Sequence, residues 1–322
     1  VTTVTAVDDL MGPPPPRLRR RRQVRVVRLA DRGPRTLASP MALRSVRGRT
    51  IYWTLFGGML LLFIVAFLFP IYWMITGAVK STPELVSTPP TLVPQHWHLG
   101  NYASAWNDMD LGQYLTNTVI QAGGAWVLQI VLCTAAAYAL SKLRPIFGQV
   151  IMGGFLATLM VPAQALLVPK YLTVLNVPFV HANLLNSPLA IWLPAVANAF
   201  NLYLLKRFFD QIPNEMMEAA GLDGAGPLRT LWYIVLPMAR PVLGVVSIFA
   251  VVAVWQDFLW PLLVFTDGTK QPISVGVVQL AANLPLNETL AALVLASAPL
   301  VIVFLVFQRH IIAGLGAGSI KG

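Results

Sequence analysis

The sequence is poor in cysteine and in charge. Its single cysteine, Cys133, excludes an internal disulfide framework, and lying within an apolar run it reads as a packing residue. Charged residues make up only 11% of the 322 residues while 56% are hydrophobic, which excludes an ordinary soluble domain and points to an integral membrane protein. Several signatures of chemistry are missing. There is no G-x-x-x-x-G-K-[ST] phosphate loop, no H-E-x-x-H and no G-x-S-x-G. His96 and His98 flank Trp97 without a nearby cysteine or acidic cluster, so no metal is expected. No signal peptide pattern precedes the first apolar run, and no repeat recurs at a fixed period.

What charge there is lies unevenly. Residues 1–50 hold twelve arginines against Asp8, Asp9 and Asp31, whereas residues 51–322 hold eleven basic and ten acidic residues. The amino-terminal arm, with Pro13 to Pro16 and Arg19 to Arg22, is expected to be disordered apart from a short polyproline II run. It lacks interleaved aromatics, so an anchor to anionic lipid headgroups is the simpler reading and nucleic acid is not expected as a partner. Met41 offers an alternative start.

From residue 51 onward the hydropathy pattern predicts an all-α membrane protein with six transmembrane helices. The expected spans are residues 51–75, 116–140, 150–168, 188–205, 242–265 and 290–308. Pro162 interrupts the third, and Pro194 and Pro299 lie within the fourth and the sixth. Six spans place both termini on one side. Outside the arm, eight basic residues fall on that side, and only Lys80, Lys170 and Lys270 fall on the other. The positive-inside rule therefore puts the termini and the loop at about 206–240 in the cytoplasm of a bacterial inner membrane.

That loop carries the most information. Pro213 suits the first turn of a helix, and Asn214, Glu215 and Glu218 suit the positive end of its dipole, so a helix is expected over 213–222. Ala219 and Ala220 keep one face small enough for close approach by a partner. Gly221 and Gly224 bracket Asp223 and allow a turn with positive φ. A second short helix is expected from Pro227, with Leu228, Leu231 and Trp232 packing back on the bundle.

The spacing Glu218-Ala219-Ala220, three residues, Gly224, nine residues, Ile234-x-Leu236-Pro237 resembles the EAA loop of the membrane subunits of ATP-binding-cassette importers. Tyr138-Ala139-Leu140-Ser141, the run Trp255 to Pro261 and the tail Gln308-Arg309 to Lys321-Gly322 are similar to the carbohydrate-importing permeases, above all the smaller subunit of the maltose type. The resemblance covers residues 51–322. It implies a type I ABC importer permease fold and a non-catalytic subunit for sugar import. Glu218, Ala219, Ala220, Asp223, Gly224, Ile234, Leu236 and Pro237 would couple to an ATPase. The implied partners are a second permease, an ATPase dimer that binds the ATP and Mg, and an extracytoplasmic sugar-binding protein.

Inside the membrane, Asp257 with Gln256 and Trp255 either lines the translocation pathway or is solvated at the outer end. Asn198, Asn201 and Gln164 either donate to sugar hydroxyls or bond between helices. A glycerol phosphate ester or polyol is the alternative cargo. A proton-coupled carrier using Asp257 is a more distant alternative, distinguished by independence from ATP.

Overall fold

The computed structural model describes residues 46–317, with side chains up to Gln308, and within them every regular element is a helix. The basic arm, apart from its last five residues, lies outside the described residues, and so do the last five residues of the tail. In chain order the helices are α1 (Val46–Gly77), α2 (Thr82–Leu85), α3 (Gly100–Asp108), α4 (Leu111–Tyr138), α5 (Gly148–Thr158), α6 (Leu167–Leu175), α7 (Leu189–Val196) and α8 (Ala199–Asp210). They continue as α9 (Asn214–Leu222), α10 (Pro227–Thr230), α11 (Leu236–Met238), α12 (Arg240–Trp255), α13 (Leu259–Val264), α14 (Ile273–Leu280) and α15 (Leu286–Ala317).

Contacts divide the chain at Val65 and Ala66, inside α1. Residues 46–65 are exposed almost throughout and carry an aromatic cluster of Tyr52, Trp53 and Phe56. Thr50 and Thr54 spend their hydroxyls on carbonyls four residues back, which removes their polarity from an apolar helix.

The remainder is built around α4 and α12, which pack on each other, with α15 and α8 against α12 and with α7 and α8 against α4. Small residues make these contacts close: Ala122, Ala125, Ala137, Ala291 and Ala292 are all buried. Gly124 is the tightest point. A Cβ there would lie 2.0 Å from the Trp192 ring of α7, whose indole N–H donates to the Ile120 carbonyl at 3.3 Å.

Three helices, α1, α4 with its π-helical extension to Leu143, and α15, are long and apolar enough to cross a membrane unbroken. Three further candidates are bent: 102° between α5 and the helical segment Ala163–Leu175, 45° between α7 and α8, and 84° between Pro227–Met238 and α12. Proline accounts for the breaks, because it removes a backbone donor and restricts the residue before it. Pro162 stands at the first bend and Pro241 in the first turn of α12. Pro194 leaves the Ala190 carbonyl without its usual partner, and the Trp260 indole donates to that oxygen at 3.0 Å.

The expected fifth span, 242–265, is thereby corrected. The helix ends at Trp255 and restarts at Leu259. Pro261 cannot donate to the Asp257 carbonyl, which instead accepts from the Ser274 hydroxyl at 2.7 Å, while the Asp257 carboxylate accepts from the Trp260 N–H at 3.4 Å. The apolar helix α14, which supplies Ser274, was not expected from the sequence.

Candidate functional site

Helix α9 begins one residue after Pro213 and is followed by a Schellman turn. The Gly224 N–H donates to the Gly221 carbonyl at 3.1 Å and the Ala225 N–H to the Ala220 carbonyl at 2.8 Å. Gly224 has φ +77°, a region in which a Cβ is penalised, and the only positive φ in this loop falls there and not at Gly221. Pro227 then opens α10, and a π turn over Leu231–Val235 leads into α11.

The expected packing of this second helix is corrected. Leu231, Val235 and Ala239 are buried on one side, while Leu228, which precedes the turn, and Trp232 are exposed, Trp232 at 66%. The two alanines also differ. Ala219 faces outward, whereas Ala220 is buried within the loop's own turn. Glu218, Asp223 and Pro237 are exposed and Ile234 and Leu236 half-buried. Asp223 and Ile234 border a depression of about 460 Å³ with Arg229 and Tyr233. Leu222, 91% exposed, projects at the carboxyl end of α9.

The loop is tied to the bundle at its entry. A second π turn, Ala139–Leu143, closes α4. From it Lys142 donates to the Ile212 carbonyl at 2.6 Å and the Asn214 side chain at 3.2 Å. Ser141 donates to Asp210 at 2.7 Å, and Lys206 pairs with the same carboxylate at 2.8 Å. Ile212 and Met217 complete the anchor by joining the cluster of Tyr138, Phe209 and Val235. The first turn of α9 and the residues before it are thereby joined to the ends of α4 and α8.

A second polar feature lies inside the bundle, where the breaks of α7 and α12 meet. A cavity of about 160 Å³ is lined by Gln129, Lys170, Pro194, Asn198, Asp257 and Trp260, among others. Lys170 lies 3.8 Å from the centre of the Trp260 ring and faces Asp257. Asn198 also caps α8, accepting from the Asn201 N–H at 2.9 Å.

Of the expected pathway residues, the fold brings Asn198 and Asp257 together. Trp255 is buried against α15 and donates to the Ala296 carbonyl at 3.3 Å. Asn201, 1% exposed, and the exposed Gln256 do not border the cavity. Lys170 and Gln129 were missed. Lys170 follows Pro169 and reads as the polar end of a span, and the 102° bend that turns α6 inward leaves no periodic trace.

An all-helical bundle with broken apolar helices and an anchored polar loop is the architecture of a polytopic membrane protein. The family described as the binding-protein-dependent transport system inner membrane component matches residues 129–316. The diacetylchitobiose uptake system permease protein NgcG of Streptomyces coelicolor is 33% identical over 269 residues, covering 82% of this chain and 87% of that protein. The probable ABC transporter permease protein YurM of Bacillus subtilis is 30% identical over 283 residues, covering 85% and 89%. The sn-glycerol-3-phosphate transport system permease protein UgpE of Yersinia pestis is 29% identical over 267 residues, covering 80% and 93%. In fold, the chain matches one from the crystal structure of a bacterial ABC transporter involved in the import of alginate, with TM-score 0.72 and 23% identity over 82% of this chain and 98% of that one. The chain belongs to the family of binding-protein-dependent transport system inner membrane components, the permease subunits of ABC importers.

Proposed function

We propose that this chain is one permease of a sugar importer, working with a second permease, an ATPase dimer that binds ATP and Mg, and an extracytoplasmic sugar-binding protein. The observation that carries this reading is the loop 213–240, whose Glu218-Ala219-Ala220 to Pro237 spacing folds into an exposed helix tied by Lys142 and Asp210 to the ends of α4 and α8. In this reading α5 with Ala163–Leu175 and α7 with α8 are each one broken span and α12 is the fifth, giving six with α1, α4 and α15, and the loop and both termini face the cytoplasm. Closure of the ATPase moves α9 as a lever, with Ala219 and Leu222 on the docking face, Gly224 fixing the exit of the chain and Glu218 and Asp223 orienting the loop. Ile234, Leu236 and Pro237 carry the motion into α12. The bundle then responds by rigid-body movement around a central pathway.

A sugar is favoured over a glycerol phosphate ester because the charges at the cavity balance. Lys170 faces Asp257, which suits hydroxyl donors and acceptors, whereas a phosphate would require unmatched cations. Asn198 and Gln129 add neutral hydrogen-bonding groups. The test is uptake of labelled chitobiose-type disaccharide or glycerol phosphate into proteoliposomes holding the complex as purified from its membrane with its binding protein. ATP-dependent uptake of the disaccharide and not of the phosphate ester is expected. Uptake of the ester alone would reverse the cargo, and disaccharide uptake indifferent to ATP would remove the importer reading.

A further inference from the structure

A cavity of about 790 Å³ lies near the Lys142 end of the bundle and shares Ser141, Lys206 and Asp210 with the anchor of the loop. It lies between the π turn that ends α4, the start of α5 and the last turns of α8, and its lining falls into two halves. One is ionic, with Arg144, Lys206, Ser141 and Asp210. The other is apolar and includes Ile146 and Leu156 beside the open backbone of Gly153.

The ionic half has cationic donors to spare. Both Lys206 and Ser141 already serve the Asp210 carboxylate, so its negative charge is compensated within the chain. The Arg144 guanidinium makes no ion pair among the described residues and uses only Nε, towards the Ser141 carbonyl at 3.4 Å. Its two terminal amino groups are left as a fork suited to a phosphate. The position of Arg144 is fixed, because its N–H closes the π turn on the Ala139 carbonyl at 2.9 Å, its φ is +49° and Pro145 follows. Lys142 and Arg207, each within electrostatic reach of Asp210, add positive charge beside the cavity. On the other side Ile146 is 95% exposed, and Phe147 and Val150 are also exposed.

Cations at one edge of a cavity and apolar surface at the other match an amphiphile lying at a membrane boundary. We propose that this cavity binds an anionic glycerophospholipid, its phosphate on the Arg144 fork and its acyl chain running along α5 past Gly153 and Leu156. The assignment needs only that the chain lies in a membrane and is independent of cargo.

Native mass spectrometry of the purified complex, equilibrated with equimolar phosphatidylglycerol and phosphatidylcholine, tests it. The wild type should retain phosphatidylglycerol selectively. Arg144→Gln should lower that retention about tenfold, the loss of a charge-assisted hydrogen-bonded contact, with Arg144→Lys intermediate. Gly153→Phe, which fills the apolar half and leaves the charges, should also release the lipid. Equal retention of the two lipids by the wild type, or unchanged selectivity in Arg144→Gln, would overturn the proposal. Displacement of phosphatidylglycerol by excess inorganic phosphate, with Gly153→Phe behaving as wild type, would mean that the site takes free phosphate and would overturn it too.

Discussion

Two glycines three residues apart have different tasks. Gly221 is helical and a Cβ there meets nothing, whereas Gly224 also has open space but a φ of +77°. Gly221→Ala should leave transport unchanged or stabilise α9 by about 0.5–1 kcal/mol. Gly224→Ala should cost about 1–2 kcal/mol in the turn and lower the transport rate at equal amounts of protein in the membrane. Measuring both rates side by side separates a demand for positive φ from a demand for space. Within the cavity, Lys170→Met should impair uptake more than Lys170→Met combined with Asp257→Asn, because the single change leaves a carboxylate facing the cavity unmatched. The expected coupling is about 0.5–3 kcal/mol from a double-mutant cycle on uptake rates, and strictly additive effects would separate the two residues.

At this scale the loop was legible and the cavity only in part. Pro213, Gly224 and Pro227 act through local backbone rules, which sequence carries directly. Asp257 could be singled out because an acid in an apolar run is costly. Its companion Lys170 could not, since their meeting depends on how α6 is turned. Trp255 was drawn into the pathway as a neighbour of Asp257 and Asn201 as a polar residue within a span, yet one faces α15 and the other is buried in α8.

Among elements, α4 and α7 approach closely at Gly124. Gly124→Leu would drive side-chain atoms into the Trp192 ring, since even a Cβ comes within 2.0 Å. Overpacking of this kind costs about 1–3 kcal/mol, occasionally more, and should reduce the recovery of assembled protein on size-exclusion chromatography. Trp192→Ala in the same chain should restore part of it. Recovery of Gly124→Leu at the wild-type level would show that α7 moves aside freely. The sequence places these elements and marks the break at Pro162, but it reads the fourth and fifth spans as continuous. Long apolar runs report how many residues are shielded from water, and a break braced by a distant donor, as the Trp260 indole braces Ala190, leaves that signal unchanged. The π turns at Ala139–Leu143 and Leu231–Val235 are similarly silent, and Trp232, within the second, lies outside its expected place in the core.

For the whole molecule, the proposed topology puts the α9 loop and the α6 to α7 turn on opposite sides of the membrane. Both are well exposed, at Leu222 and at Phe179. With Cys133 replaced by serine, a cysteine at Phe179 should react with a membrane-impermeant maleimide added outside intact cells. One at Leu222 should react only after permeabilisation. Labelling of both from the same side would break the six-span arrangement. The twofold claim, that the chain conducts and that its loop couples, depends on a partner that closes on α9.

The most direct test is therefore ATP hydrolysis by the complex in proteoliposomes, with and without substrate-loaded binding protein, for wild type and for Gly224→Asp. The account predicts stimulation in the wild type and its loss in Gly224→Asp, with equal amounts of each chain inserted. Stimulation of the variant equal to that of the wild type would contradict the assignment of residues 214–237 as the coupling element.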